Sequence, residues 1–174
     1  MFQAGRWLRP GQGLALGILA LGVAVPARAD DCATVYKALT DLAAVPAVAQ
    51  TIDMGGQAAP MQSVAIGDAL YTNVGDGWAK LPLAPGGRLG ILKSLVPDSA
   101  SLKDCANLGR ETVDGRATTV YSYVPPVPEG MEGLAGAGDP QKLWIADADG
   151  LPYRMETGAT KMSMTYEGVV APIQ

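Results

Sequence analysis

The chain has 174 residues, with 13 basic and 17 acidic side chains and no histidine, for a net charge of −4 at pH 7. An acidic chain without a basic run excludes phosphate-tracking nucleic-acid binding, which needs clustered Lys and Arg. It also excludes simple electrostatic docking on anionic lipid.

Arg6 and Arg9 precede an apolar run from Leu14 to Val25, and Pro26-Ala27-Arg28-Ala29 follows. That charged, apolar, small-x-small order predicts a cleavable secretory leader over residues 1–29 and a single domain over 30–174. A membrane span takes about 20 apolar residues; this run is shorter and is broken by Gly17 and Gly22. Any membrane contact is therefore expected to be peripheral. Asp30 and Asp31 stand ahead of Cys32, so the cysteine is not the first mature residue and a lipid anchor there is not expected. The mature chain would keep ten bases and all seventeen acids, a charge of −7. The expected product is a soluble periplasmic protein.

Cys32 and Cys105 are the two cysteines. In an oxidising compartment such a pair is expected to form a disulfide. A redox thiol would need a nearby base or a C-x-x-C spacing, and neither is present. The loop so closed is long, which makes the bridge worth roughly 4 kcal/mol on a chain-entropy account.

Asp30 or Asp31 can cap a helix over 32–44, where Val35, Leu39 and Leu42 recur at helical spacing and Pro46 sets the end. From Thr51 the period becomes two, with Val64 and Ile66 alternating with Ser63 and Ala65. Gly67-Asp68 and Gly75-Asp76-Gly77 then predict turns between strands over 69–74 and 78–83. Arg88–Val96 reads as a short helix closed by Pro97. A strand over 102–108 carries Cys105, and further strands over 111–113 and 117–124 flank the turn Asp114-Gly115. The segment 125–140 holds four Pro and four Gly with no period, which predicts a long mobile loop. Strands over 142–146 and 151–157 flank the turn Asp147–Gly150. In a last strand Met162, Met164 and Tyr166 alternate with Ser163, Thr165 and Glu167. Seven to nine antiparallel strands with helices against one face make an α+β domain.

The string Leu143-Trp144-Ile145-Ala146-Asp147 through Gly150-Leu151-Pro152-Tyr153-Arg154-Met155-Glu156, closed by a Met-Thr-Tyr strand, resembles the LolA/LolB-like periplasmic lipoprotein-carrier superfamily. The likeness in element order covers most of residues 31–172. It implies an incomplete β-barrel, a curved antiparallel sheet wrapped around an N-terminal helix and a short second helix. It also implies an apolar concavity that accepts acyl chains, with lipid or lipoprotein as partner.

The chemistry-bearing residues point away from an enzyme. A Ser-Lys pair is conceivable at Ser94 with Lys93, but neighbours on a helix do not face each other. Ser101 and Lys103 share a strand face at most, with nothing to bury the lysine and depress its pKa. Asp147-Ala-Asp149-Gly150 has the look of a calcium loop, yet position 12 is Gly158 or Thr160 rather than Glu. A hairpin turn explains it better. No metal or cofactor is expected. The apolar set Trp144, Met155, Met162, Met164 and Tyr166, with Leu89 and Leu92 of the short helix, is the expected ligand-binding group. Methionine suits surfaces that accept varied apolar partners, although ordinary core packing gives the same pattern. Two functions follow: a non-enzymatic carrier of an apolar ligand, or an envelope protein-interaction module with a solid core.

Overall fold

The computed structural model describes residues 29–173 apart from 57–58, 74, 76 and 134–135. The expected leader lies outside the described residues save for Ala29, which begins the first helix.

Helix α1 (Ala29–Ala44) places Asp30 and Asp31 in its first turn, where carboxylates favour the helix dipole. Val35, Ala38 and Leu39 form its buried stripe, and a turn through Val45 and Pro46 passes the chain into the sheet. Four strands follow in a meander: β1 (Ala47–Asp53), β2 (Met61–Ile66), β3 (Ala69–Asn73) and β4 (Trp78–Pro82). Helix α2 (Gly87–Leu95) interrupts the strands and ends before Pro97 as expected. A second meander completes the chain: β5 (Lys103–Val113), β6 (Arg116–Val124), β7 (Gln141–Ala146), β8 (Pro152–Thr157) and β9 (Thr160–Thr165).

These make one nine-stranded sheet in the order β4-β3-β2-β1-β9-β8-β7-β6-β5, with every neighbouring pair antiparallel. The two outermost strands, β4 and β5, are not paired with each other, so the sheet is curved and open rather than a closed barrel. The α+β class and the wrapped sheet are as expected from the sequence. So is the loop over 125–140, whose described residues hold no helix or strand.

Three details differ. The first strand begins at Ala47, directly after Pro46, rather than at Thr51. Ser63, Val64 and Ala65 are all buried, so β2 is covered on both faces and its alternation does not separate core from solvent. The segments 102–108 and 111–113 belong to one strand, β5, whose register against β6 slips between Lys103 and Ala106 and again between Asn107 and Gly109. Asp104 (φ 51°) and Gly109 (φ 105°) take the left-handed backbone that such bulges need. Unpaired positions at a bulge read in sequence as a break.

α1 lies across β5, β6 and β8 and against α2. Under it Val35, Ala38 and Leu39 pack with Val96, Leu102, Cys105, Tyr123, Leu143 and Ile145. The expected Cys32–Cys105 disulfide is formed (Cα–Cα 5.2 Å) and ties the first turn of α1 to β5.

Arg88 makes the tightest link between the helices. Its guanidinium, half-buried, donates to the Leu42 carbonyl at 3.0 Å and also to the Val45 carbonyl. These acceptors are orphan groups at the C-terminal end of α1, where the dipole also favours a cation. An Arg88→Leu substitution is expected to lower stability by about 1–3 kcal/mol, the scale of charge-assisted hydrogen bonds. Urea denaturation measures the loss. Arg88→Lys should recover only part of it, because one ammonium lacks the fork that reaches both carbonyls.

Candidate functional site

Strand β7 alternates strictly. Leu143 and Ile145 point towards α1 and are part of its core, whereas Trp144 and Ala146 point away. The register Leu143↔Met155 places Met155 on the helix-facing side. From there each directly opposed partner is also apolar: Tyr121 on β6, Leu143, Met155, Met162 on β9, Ile52 on β1 and Met61 on β2. This row crosses six strands. Only Leu143, fully covered by α1, is buried; the other five are half-exposed.

Met164 and Tyr166 lie beside the row. Met164 is buried with Val48 and Ala65, and Met155, Met162, Tyr166, Leu42, Val45 and Leu70 pack around them. Thus four of the five expected sheet residues come together. The Tyr166 hydroxyl donates to the Pro152 carbonyl. Its ring meets Tyr153 edge-on with centroids 5.1 Å apart. Burial holds the Tyr166 phenol well above its ordinary pKa, with Tyr153 and Asp149 adding to the shift and Arg88 opposing it.

Trp144 is not with them. It is buried on the opposite face among Val113, Val120, Ala146 and Tyr153. Its indole N–H donates to Glu111 at 2.8 Å, and the Arg154 guanidinium lies 5.0 Å from its ring centroid. Arg154 is held in turn by Glu156 at 2.7 Å. Trp144 therefore anchors a second, outer core.

Leu89 and Leu92 stand on α2, which has no buried residue. Leu92 packs at the margin of the α1 core, Leu89 is half-buried, and Ile91 and Leu95 are 41% and 45% exposed. For a nine-residue helix this is an unusually light seating, and Arg88 supplies its firmest attachment.

Several hollows open on the surface. The roomiest of those described, about 420 Å³, is lined by Ile66, Asp68, Ala69, Lys80, Leu81 and Pro82 near the β4 edge. Another of about 370 Å³ is polar, with Asp53, Asp114, Arg154 and Lys161 around it. Met164 and Tyr166 border a recess of about 130 Å³. Met155, Met162, Leu89 and Leu92 line none of these. The candidate face is thus a half-covered apolar strip beside α1.

The polar residues weighed for catalysis are engaged locally. Ser94 donates to the Ile91 carbonyl, and Ser101 donates to Asp98. Asp149 accepts from the Leu151 N–H and the Tyr153 hydroxyl, and Asp147 accepts from Thr119. The Asp147–Gly150 segment is the hairpin turn expected from its Asp and Gly content.

Sequence reasoning did not find Ile52, Met61 or Tyr121 as members of the row. Their alternation was readable, but membership depends on cross-strand register, which no local pattern contains.

No protein-family model matches the chain, and no curated protein matches it in sequence. Among solved structures, the lipoprotein LppX of Mycobacterium tuberculosis is similar at 15% identity over 83% of this chain and 97% of that one, with a TM-score of 0.49. A chain of the MucA/MucB complex of Pseudomonas aeruginosa is similar at 13% identity and a TM-score of 0.51. There the match covers 82% of this chain and 59% of the other. At such identities the likeness is one of fold. The open, curved antiparallel sheet is the architecture that the resemblance of the Leu143-to-Glu156 string implied.

Proposed function

We propose that this protein is a non-enzymatic periplasmic carrier that shelters an apolar ligand, an acyl chain or the lipid-modified end of a lipoprotein, against the helix side of its sheet. The observation that carries this reading is the apolar row from Tyr121 to Met61, half-exposed at five of its six positions. Three of the six are methionines, whose unbranched thioethers adapt to ligands of varied shape. Extended alkyl groups fit a row that runs across strands, and each CH₂ sheltered from water contributes about 0.8 kcal/mol. In this reading Met155 and Met162 are the principal contacts, Met164 and Tyr166 support them, and Leu89 and Leu92 belong to a covering helix. Trp144 has no part in it. The leader-like N-terminus and the disulfide support an extracytoplasmic location.

The test is uptake of N-phenyl-1-naphthylamine, an apolar dye that brightens on leaving water, alongside native mass spectrometry of the gently purified protein. Wild type is expected to bind the dye and to carry acyl-containing mass. Met162→Glu is expected to weaken uptake at least tenfold, while Met162→Leu stays near wild type. A protein that binds neither dye nor lipid would be the solid-cored interaction module instead.

A further inference from the structure

Next to the apolar row runs a second row of directly opposed residues: Thr72 on β3, Ser63 on β2, Gln50 on β1 and Met164 on β9. Gln50 occupies the helix-facing side of β1 between Val48 and Ile52, with apolar neighbours before and after it. The Ser63 hydroxyl, buried, donates to the Gln50 amide oxygen at 3.0 Å. That bond orients the amide nitrogen towards Met162, whose sulfur lies 3.4 Å away. The reverse orientation would face the amide oxygen with the thioether's lone pairs, so the geometry selects one rotamer. A thioether is a weak acceptor, and the second amide hydrogen has no acceptor among the described residues. Gln50 is itself half-exposed. A strong donor is thus positioned, underused and open to solvent, on the edge of the apolar strip.

We propose that Gln50, oriented by Ser63, is the specificity-determining donor that holds the carbonyl oxygen of an acyl ester or acyl amide while the alkyl chain lies along the row. This rests on the carrier reading and names the head group that the carrier selects. The group it suits is neutral. Its neighbours within both rows, Thr72, Ser63, Met164, Met162, Val48 and Ile52, carry no charge to stabilise a carboxylate, and on the helix side Arg88 is engaged by the Leu42 and Val45 carbonyls. An amide N–H offers a neutral carbonyl a full hydrogen bond in place of the weak one to sulfur. A plain hydrocarbon lying over Gln50 would strip the donor of water and give it no acceptor, which disfavours that ligand.

The experiment measures displacement of N-phenyl-1-naphthylamine, which has no oxygen, by methyl laurate and by lauric acid at neutral pH. Wild type, Gln50→Leu and Ser63→Ala are compared after far-UV circular dichroism shows each folded. Gln50→Leu is expected to bind the dye within twofold of wild type and to lose about tenfold in displacement by methyl laurate. Ser63→Ala, which leaves the amide in place but unsteered, should lose severalfold. In wild type the ester should displace the dye better than laurate. Equal displacement of the dye from wild type and Gln50→Leu overturns the assignment while the carrier reading stands. Laurate outcompeting the ester overturns the preference for a neutral head group. Failure of wild type to bind the dye overturns both.

Discussion

Removing the Cys32–Cys105 bridge is expected to cost about 2–5 kcal/mol, a large part of the roughly 5–15 kcal/mol that holds a domain of this size together. The bridge closes a long loop, with its cysteines 73 positions apart. Its chain-entropy contribution is therefore near the upper end of the usual range. Both ends also bear on packing. Cys105 has no solvent exposure and sits among Val35, Leu39, Tyr123 and Leu143, the residues through which α1 holds the sheet. Cys32 is in the first turn of α1. Loss of the bond frees that end of the helix to fray away from β5, leaving Arg88 to hold the other end. Urea titrations with and without reductant, and of a Cys32→Ala, Cys105→Ala double variant, measure the effect. An unchanged midpoint would refute it.

Trp144→Ala is expected to destabilise by about 3–5 kcal/mol, the scale for truncating a large buried aromatic. It empties the centre of the outer core formed by Val113, Val120, Ala146 and Tyr153 and removes the ring beneath Arg154. Trp144→Phe keeps most of the volume and loses the bond to Glu111, a cost of about 0.5–1.5 kcal/mol. Neither effect should extend to ligand. In Trp144→Phe, still folded, dye uptake should remain within twofold of wild type, because Trp144 faces away from the Met155–Met162 strip. A collapse of uptake in that variant would place Trp144 in the binding face after all.

The element order was largely legible because its signals are local. Asp30-Asp31 ahead of Val35, Leu39 and Leu42 marks α1, and Gly67-Asp68 and Asp147–Gly150 mark hairpin turns. Pro97 marks the end of α2. What stayed hidden depends on relations between strands. Trp144 and Met155 both belong to well-patterned strands, but only the register Leu143↔Met155 shows that they lie on opposite faces. That register slips just past Trp144, where Ile145 opposes Pro152. The continuity of β5 was obscured by bulges for the same reason. The role of Gln50 was invisible because its partners, Ser63 and Met162, are 13 and 112 residues away along the chain.

The order of strands within the sheet has a consequence for how the molecule assembles. β1 to β4 form one local meander and β5 to β9 another, and each can zip through short hairpins soon after it is made. The seam that joins them is β1 against β9, from Ala49↔Thr165 to Asp53↔Lys161. That contact closes over more than a hundred residues, the slow kind of step in β-rich folding. Until the ninth strand arrives the chain is two half-sheets with exposed edges at β1 and β8. The apolar row is divided at the same seam, with Met155 and Met162 on one side and Ile52 and Met61 on the other. The apolar strip is therefore completed only when the whole sheet is, so on the carrier proposal a partly made chain has no finished surface for a ligand.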